Sequence, residues 1–344
     1  MQNRLQTADL LKGLAVLFMV QVHIIELFAT PEIFESNYGK ILLFLGGPFV
    51  APIFVTVLGY FIALSSKSTS QLVFRGIKMV LLGMFLNFAL NLNLILKVKS
   101  NLLQIDIWPY IFGIDIFHFA GFSIIILALL KKIFERNILL LAIFIVISAS
   151  LSDVVKNIIQ PNEISTYFYS LLYGCSKWSY FPLFPWIAYP LAGMLLFNLK
   201  KQFTFNWLEH KKTTFIILVS FILFMVFTIN YAISVASNLQ EYYHHGIKFC
   251  AWTIAFLLFY SYFINEINLY FNQFKLLKFI AWLGTHVTII YIIQWIIIGN
   301  IATEIYKTIN EPYILITYYI SILIACIVIT RLYLEIKKRI TFKL

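Results

Sequence analysis

Residues 41–64 read ILLFLGGPFVAPIFVTVLGYFIAL, a run without a single charged side chain. About 20 consecutive apolar residues are enough for a helix to cross the roughly 30 Å hydrocarbon core of a bilayer. Similar apolar blocks recur along the whole chain: of its 344 residues, 61% are hydrophobic and 12% are charged, and the mean hydropathy is +0.87. A soluble protein carries about twice that charged fraction. The sequence therefore predicts an all-α, polytopic integral membrane protein.

The apolar blocks define ten predicted membrane spans. They cover residues 8–29, 41–64, 74–95, 110–130, 137–152, 180–199, 213–234, 248–265, 278–299 and 312–333. The segment 153–179, which follows a short fifth span, is a candidate for a re-entrant or interfacial helix. Because no linker separates a soluble region, we predict that residues 1–344 form a single integral-membrane domain.

The distribution of positive charge predicts the orientation of these spans. If the N-terminus lies in the cytoplasm, 19 of the 26 Lys and Arg residues fall on the cytoplasmic side and 7 on the other. Cytoplasmic loops of membrane proteins carry such an excess, so the split predicts that both termini are cytoplasmic. This bias, together with anionic lipid headgroups, accounts for the net charge of +11 without nucleic acid as a partner. We expect a location in a bacterial inner (cytoplasmic) membrane.

Several classes of protein lack support in the sequence. The three cysteines, Cys175, Cys250 and Cys326, are unclustered and predict neither a disulfide framework nor a metal site. HExxH, CxxC, Walker and Rossmann glycine patterns are absent, so we expect no metal and no permanently bound cofactor. The oligomeric state stays open, with a homo-oligomer as one option.

The first span contains several polar residues. His23 follows Lys12 by eleven residues, about three helical turns and a rise of roughly 16 Å, so both side chains lie near one stripe of the helix. Asp9 and Lys12 are three residues apart and can pair, and Glu26 lies one turn beyond His23. Polar groups inside a span usually face a cavity or a partner. The alternative is that Lys12 extends to the headgroups while His23 bonds within the bundle.

Prolines predict interrupted helices in two spans. Pro48 and Pro52 lie in span 2, and Pro182, Pro185 and Pro190 lie in span 6. Proline removes a helical hydrogen bond and clashes with the preceding turn. The backbone groups that it frees are tolerated in a membrane where protein or a cavity satisfies them. Close packing through small residues is the alternative interpretation of span 2.

Spans 3 and 4 add five candidate residues. Arg75 and Lys78 stand at the predicted cytoplasmic end of span 3, where they could meet an anionic ligand or simply anchor the helix. Asn87, deeper in the span, could bond a ligand or a neighbouring helix. Asp115 and His118 are three residues apart, so we expect them on one helical face, where a carboxylate would fix the imidazole tautomer.

Two further regions contain histidines. In span 9, Gln294 follows His286 by eight residues, so a continuous helix would place them on one face. His244 and His245 fall in a predicted outer loop, and we expect a solvated pair there.

Four motifs in this order resemble the transmembrane acyltransferase superfamily. They are DLLKGLA at residues 9–15 followed by His23, APIFVTVLG at 51–59, FPLFPW at 181–186 followed by Gly193, and LGTH at 283–286 followed by YIIQ at 291–294. The likeness is to its heparan-α-glucosaminide N-acetyltransferase-like branch and to acyltransferase family 3-like membrane proteins. Lys12 stands where the family motif has Arg, and Thr285 replaces the Arg that follows the glycine of the last motif.

The resemblance implies a donor, an acceptor and a division of roles. The donor is cytoplasmic acyl-CoA, with acetyl as the implied group, and the acceptor is a sugar or glycan at the far side of the membrane. His23 becomes the catalytic residue, and Lys12 becomes the counterpart of the motif Arg near the donor. The chemistry of acyl transfer adds the hypothesis that His23 is a base or an acyl carrier oriented by Glu26, Asp115 or His118. On the same chemical grounds, the candidates for donor binding are Asp9, Lys12, Arg75 and Lys78, and the candidates for substrate or oxyanion contacts are Asn87, His286 and Gln294. Lys is a point charge and cannot form the bidentate contact of Arg with phosphate.

Two other functions remain open from the sequence. Broken helices and buried polar residues also fit a transporter or flippase for a lipid-linked sugar or a small polar solute. A relative that has lost catalysis is the second alternative, which Lys12 in place of Arg keeps open.

Overall fold

The computed structural model describes residues 3–155, 163–204 and 210–341, so Lys156 and Lys343 of the charge count lie outside it. These residues form helices and no strand, with two isolated bridges, Ala29 to Ile309 and Ile114 to Ser179. In chain order the helices are α1 (Asn3–Phe28), α2 (Pro31–Glu35), α3 (Asn37–Gly46), α4 (Ala51–Leu64), α5 (Thr69–Leu90), α6 (Leu92–Lys99), α7 (Trp108–Ile111), α8 (Ile116–Arg136), α9 (Ile138–Val155), α10 (Glu163–Tyr173), α11 (Leu183–Trp186), α12 (Ala188–Gln202), α13 (Lys211–Ser237), α14 (Leu239–Tyr243), α15 (Ile247–Phe271), α16 (Lys275–Thr285), α17 (Val287–Ile305) and α18 (Pro312–Thr341).

Within the described ranges, nine helical segments are long and apolar enough to cross a membrane. They are Gln6–Phe28, Asn37–Leu64, Thr69–Leu90, Ile116–Arg136, Ile138–Val155, Lys211–Ser237, Ile247–Phe271, Val287–Ile305 and Pro312–Ile340. The prediction of an all-α, polytopic membrane protein is confirmed. The orientation of the termini stays a prediction.

The sixth predicted span differs from the other nine. Its main helix, α12, has 15 residues, fewer than the helices that qualify as spans. The preceding α11 is interrupted at Phe184, which has extended backbone angles and a cis bond to Pro185. The predicted interruption is thus found at Pro182 and Pro185, whereas Pro190 lies within the first turn of α12.

Two other irregular regions follow the sequence. The second span is interrupted as predicted, since α3 ends at Gly46 and α4 begins at Ala51, with a turn between them. The segment 153–179 contains the helix α10, and its re-entrant or interfacial position stays a prediction. Residues 156–162 of this segment lie outside the described residues.

The chain divides into two compact units. The first unit contains Met1–Val50, Leu86–Ile111 and Phe263–Leu344, and the second contains Ala51–Phe85 and Phe112–Tyr262. In the first unit, α1 packs against α3, α16, α17 and α18. In the second unit, α12 packs against α4, α8 and α9. The single-domain assignment stays a prediction.

Candidate active site

Helix α1 carries four of the predicted site residues. The Lys12 Nζ atom lies 2.7 Å from a carboxylate oxygen of Asp9, so the predicted pair is present. His23 lies eleven residues further along the same continuous helix, a rise of about 16 Å. His23 and Glu26 are both half-buried. A single helix thus places a charged pair at one level of the first unit and an imidazole about three turns away.

Two motif glycines bring α1 and α16 into backbone contact. A Cβ atom added at Gly13 would lie 1.8 Å from the carbonyl oxygen of Ile280, and one added at Gly284 would lie 1.9 Å from the carbonyl oxygen of Asp9. Backbone atoms cannot move aside as a flexible side chain can, so a larger residue at either position would separate the helices. The glycines of the first and last sequence motifs therefore fix the helix crossing beside Asp9 and Lys12.

Helix α17 holds His23 through two neighbouring residues. The Gln294 Nε2 atom lies 2.8 Å from His23 Nδ1, and the Trp295 ring centroid lies 4.2 Å from that of the imidazole. Gln294 is fully buried. The contact occupies Nδ1, and Nε2 can accept a proton in the tautomer that carries its hydrogen on Nδ1, with the amide oxygen turned toward the ring. The sequence indicated Gln294 as a candidate but gave no role to Trp295, whose contact with His23 depends on tertiary structure.

Asn87, also in the first unit, makes a structural contact. Its Nδ2 atom donates to the carbonyl oxygen of Ile111 at 3.0 Å, and its own carbonyl accepts from Asn91 Nδ2 at 2.9 Å. Bonding to a neighbouring helix was one of the two interpretations of Asn87. A role at an oxyanion stays a prediction.

His286 does not share a continuous helix with Gln294. The chain breaks at His286, which has φ −107° and ψ 15° and separates α16 from α17. Its Nδ1 atom lies 2.8 Å from the carbonyl oxygen of Trp282, so it caps the helix that it follows. The prediction of one regular span over 278–299 is therefore wrong at this point, and the eight-residue spacing does not define a common face.

Asp115 and His118 lie together in the second unit, but not in the predicted way. Helix α8 begins at Ile116, so Asp115 is its N-cap rather than a residue on a helical face. The backbone N–H of Asp115 donates to His118 Nδ1 at 3.3 Å. The prediction that both lie on one helical face is corrected, because the span begins later than 110. The contact seen here fixes His118 through the backbone.

Arg75 and Lys78 lie on α5, also in the second unit. Both are exposed, and the Lys78 ammonium lies 4.4 Å from the ring centroid of Phe74. Their position leaves them accessible to an anion. It is equally suited to anchoring at a membrane surface.

The motifs of spans 2 and 6 contact each other within the second unit. A Cβ atom added at Gly59 would lie 1.9 Å from the carbonyl oxygen of Pro190, and one added at Gly193 would lie 1.9 Å from that of Thr56. These two glycines let α4 and α12 pack backbone to backbone. Such close approach through small residues is a common way for helices to associate in membranes.

His244 and His245 are buried, so the prediction of a solvated pair is wrong. The relative solvent exposure is 6% for His244 and 3% for His245. His244 Nε2 lies 2.7 Å from the carbonyl oxygen of Ser179, and His245 Nε2 lies 2.8 Å from the hydroxyl of Tyr189. The hydrophilic sequence suggested a loop in water, but tertiary contacts in the second unit satisfy both rings.

The predicted site residues are thus divided between the units. The first unit contains Asp9, Lys12, His23, Glu26, Asn87, His286 and Gln294, and the second contains Arg75, Lys78, Asp115 and His118. Among described residues, no group of three or more His, Cys, Asp or Glu side chains could hold a metal ion. In the first unit, the His23 imidazole can exchange a proton and the Lys12 ammonium can bind an anion. In the second unit, Arg75 and Lys78 can bind an anion.

These features define an all-helical integral membrane protein with a hydrogen-bonded histidine in its first span. The family model described as heparan-alpha-glucosaminide N-acetyltransferase, catalytic, matches residues 4–222. The match covers more than half of the chain, and the chain belongs to this family of membrane N-acetyltransferase-like proteins. No curated protein and no solved structure gives a significant match. The matched region contains Lys12 and His23 and ends before Gln294.

Proposed function

We propose that this protein transfers an acyl group, acetyl in the first instance, from cytoplasmic acyl-CoA to a sugar or glycan at the far side of a bacterial inner membrane. The main support is the hydrogen bond between Gln294 and His23, a residue of the first span. The chain that contains this contact belongs to an N-acetyltransferase family. An amide whose oxygen accepts the Nδ1–H of an imidazole leaves Nε2 unprotonated and able to act as a base. The product would be a modified carbohydrate of the cell envelope.

The proposed donor end is the Asp9–Lys12 pair. The Lys12 ammonium, oriented by the carboxylate at 2.7 Å, supplies a positive charge for a CoA phosphate. A rise of about 16 Å along α1 separates this level from His23. An extended acyl-pantetheine arm can span such a distance, so one CoA molecule could contact Lys12 with its phosphates and His23 with its thioester. Arg75 and Lys78 are further candidates for the phosphates.

In the proposed reaction, the acceptor hydroxyl or amine attacks the thioester carbonyl carbon. The acceptor proton moves to Nε2 of His23, the C–S bond breaks, and the proton then passes to the CoA thiolate. Transfer through an acyl-imidazole on His23 is the second route, in which the imidazole attacks first and CoA leaves before the acceptor arrives. Both routes require an unprotonated Nε2.

A transporter is the second candidate because the structure contains interrupted helices. The break between α3 and α4 and the irregular α11 leave backbone groups of the type that bind solutes in transporters. A transporter would move its solute without consuming acyl-CoA. A catalytically diverged relative would bind acyl-CoA without turnover.

The test uses full-length protein purified in detergent, radiolabelled acetyl-CoA and a panel of mono- and oligosaccharides. We expect labelled sugar and free CoA in equal amounts from the wild type. His23→Ala should lower the rate by at least about a hundredfold, because general-base catalysis contributes roughly 10²–10⁴-fold.

His210→Ala is the matched control, since His210 is an exposed residue that precedes α13. It should retain the wild-type rate. Full activity of a folded His23→Ala protein would contradict the assignment of His23. If the wild type consumed no acetyl-CoA but took up solute into proteoliposomes, transport would replace acyl transfer as the proposed function.

A further inference from the structure

Two buried polar atoms beside His23 have no hydrogen-bond partner among the described residues. They are Oε1 of Gln294 and Nε1 of Trp295, which belong to adjacent residues of α17. A buried amide oxygen or indole N–H that lacks a partner costs roughly 1–3 kcal/mol. Two such groups next to one imidazole indicate that a polar group completes the site.

The other buried side-chain atoms without partners differ from this pair. They are the hydroxyls of Thr56, Ser123, Ser152, Thr253 and Thr330, and Oδ1 of Asn268. A hydroxyl hydrogen can rotate toward several acceptors. Gln294 and Trp295, in contrast, both contact His23.

The tautomer that catalysis requires determines what the pair can bind. A His23 that accepts a proton at Nε2 must carry its own hydrogen on Nδ1. That Nδ1–H needs an acceptor, so the Gln294 amide must turn its carbonyl oxygen toward it. The oxygen and nitrogen of an amide occupy nearly the same positions after this half-turn. The group then left without a partner is the Gln294 NH₂, so the adjacent residues Gln294 and Trp295 each carry an N–H donor without a partner among the described residues.

We propose that the Gln294 amide and the Trp295 indole N–H form the oxyanion-binding pair that stabilises the tetrahedral intermediate of acyl transfer. The inference rests on the proposed function and deepens it by assigning Trp295 a catalytic role. When the acceptor oxygen or nitrogen adds to the thioester carbonyl, its proton moves to His23 Nε2 and the carbonyl oxygen gains the negative charge. The two N–H groups donate to that oxygen until the C–S bond breaks and CoA leaves as a thiol.

The kinetic test is Trp295→Phe, which keeps an aromatic ring against His23 and removes the N–H. We expect kcat for acetyl transfer to fall about a hundredfold, because one oxyanion donor contributes roughly 10²–10³-fold. The KM for acetyl-CoA should change less than about twofold, since the donor acts on the transition state. A benzothienylalanine at position 295 has sulfur in place of the N–H and should lower kcat as Trp295→Phe does. Because it keeps the shape of the indole, it serves as the test if the Phe variant fails to fold.

The matched control is Trp252→Phe in the second unit. The Trp252 N–H already donates to the hydroxyl of Thr228 at 2.8 Å, and its ring stacks on Phe256. Removing this N–H should leave kcat unchanged. A fall in kcat equal to that of Trp295→Phe would assign the effect to lost packing and would overturn the proposal.

A second readout does not depend on turnover. S-Acetonyl-CoA carries a ketone in place of the thioester and cannot transfer its acyl group, so the infrared stretch of its carbonyl reports hydrogen bonding at the proposed site. We expect the carbonyl stretching frequency of the bound analogue to be higher in both position-295 variants than in the wild type. Equal frequencies and equal kcat values in the wild type and the position-295 variants would overturn this inference and leave the proposed function intact. A wild type that neither binds the analogue nor transfers acetyl would overturn the proposed function, and this inference with it.

Discussion

Lys12 is the residue at which this chain departs from the motif that it resembles, and its surroundings suit a single positive charge. Asp9 lies 2.7 Å from its ammonium on the same helix. A lysine binds phosphate as a point charge, whereas arginine adds a planar, bidentate contact. The proposed donor contact should therefore tolerate arginine at position 12.

We expect Lys12→Ala to weaken acetyl-CoA binding at least about tenfold, because a hydrogen bond to a charged group contributes roughly 1.5–3 kcal/mol. Lys12→Arg should bind as tightly as the wild type or more tightly. Lys40→Ala, an exposed lysine of α3, is the control and should not change the affinity. Equilibrium binding of labelled acetyl-CoA measures all three. Unchanged affinity in Lys12→Ala would remove Lys12 from the donor site.

At the residue scale, the sequence predicts pairs within one continuous helix and fails where a helix breaks. The Asp9–Lys12 contact follows from a three-residue spacing in α1, which is regular. The spacings at Asp115 and His286 are misleading, because the first precedes α8 and the second separates α16 from α17. The contacts of His23 with α17 join residues far apart in the chain, so no local pattern contains them.

At the scale of elements, the motif glycines form two helix contacts. Gly13 and Gly284 join α1 to α16 in one unit, and Gly59 and Gly193 join α4 to α12 in the other. The sequence predicted the breaks at prolines correctly, because proline acts locally on its own backbone. It did not predict which glycines pair, since that depends on how the helices cross.

Gly284→Val should destabilise the protein, because its Cβ atom would overlap the carbonyl oxygen of Asp9 in α1. Overpacking of this kind costs about 1–3 kcal/mol or more. Thermal unfolding of the purified protein should show a lower midpoint than the wild type. Leu276→Val, at a position of α16 that is 67% exposed, should leave the midpoint unchanged. Equal midpoints for both variants would contradict the tight crossing of α1 and α16.

At the scale of the whole molecule, composition predicts the class and the charge count predicts its orientation. The long apolar helices could be predicted from the sequence, because a span must be apolar over most of its length. The predicted orientation, with both termini in the cytoplasm, rests on the bias of 19 to 7 in Lys and Arg.

Single-cysteine labelling checks this orientation. Ser66 and Gln104 are exposed residues outside the predicted spans, with Ser66 on the predicted cytoplasmic side and Gln104 on the other. In a background with the three native cysteines replaced, a membrane-impermeant maleimide should label Gln104→Cys in intact cells. It should label Ser66→Cys after permeabilisation. The reverse pattern would place both termini on the opposite side.

If the acyl group leaves CoA at His23, a structure with bound S-acetonyl-CoA should place the ketone of the analogue at that histidine. We expect the ketone carbon to lie about 3.5 Å from the point that the acceptor's nucleophilic atom would occupy when it is hydrogen-bonded to His23 Nε2. This is the distance of a near-attack geometry. We also expect the CoA phosphates at the level of Lys12. An analogue that binds with its ketone distant from His23 would rule out acyl transfer at this histidine.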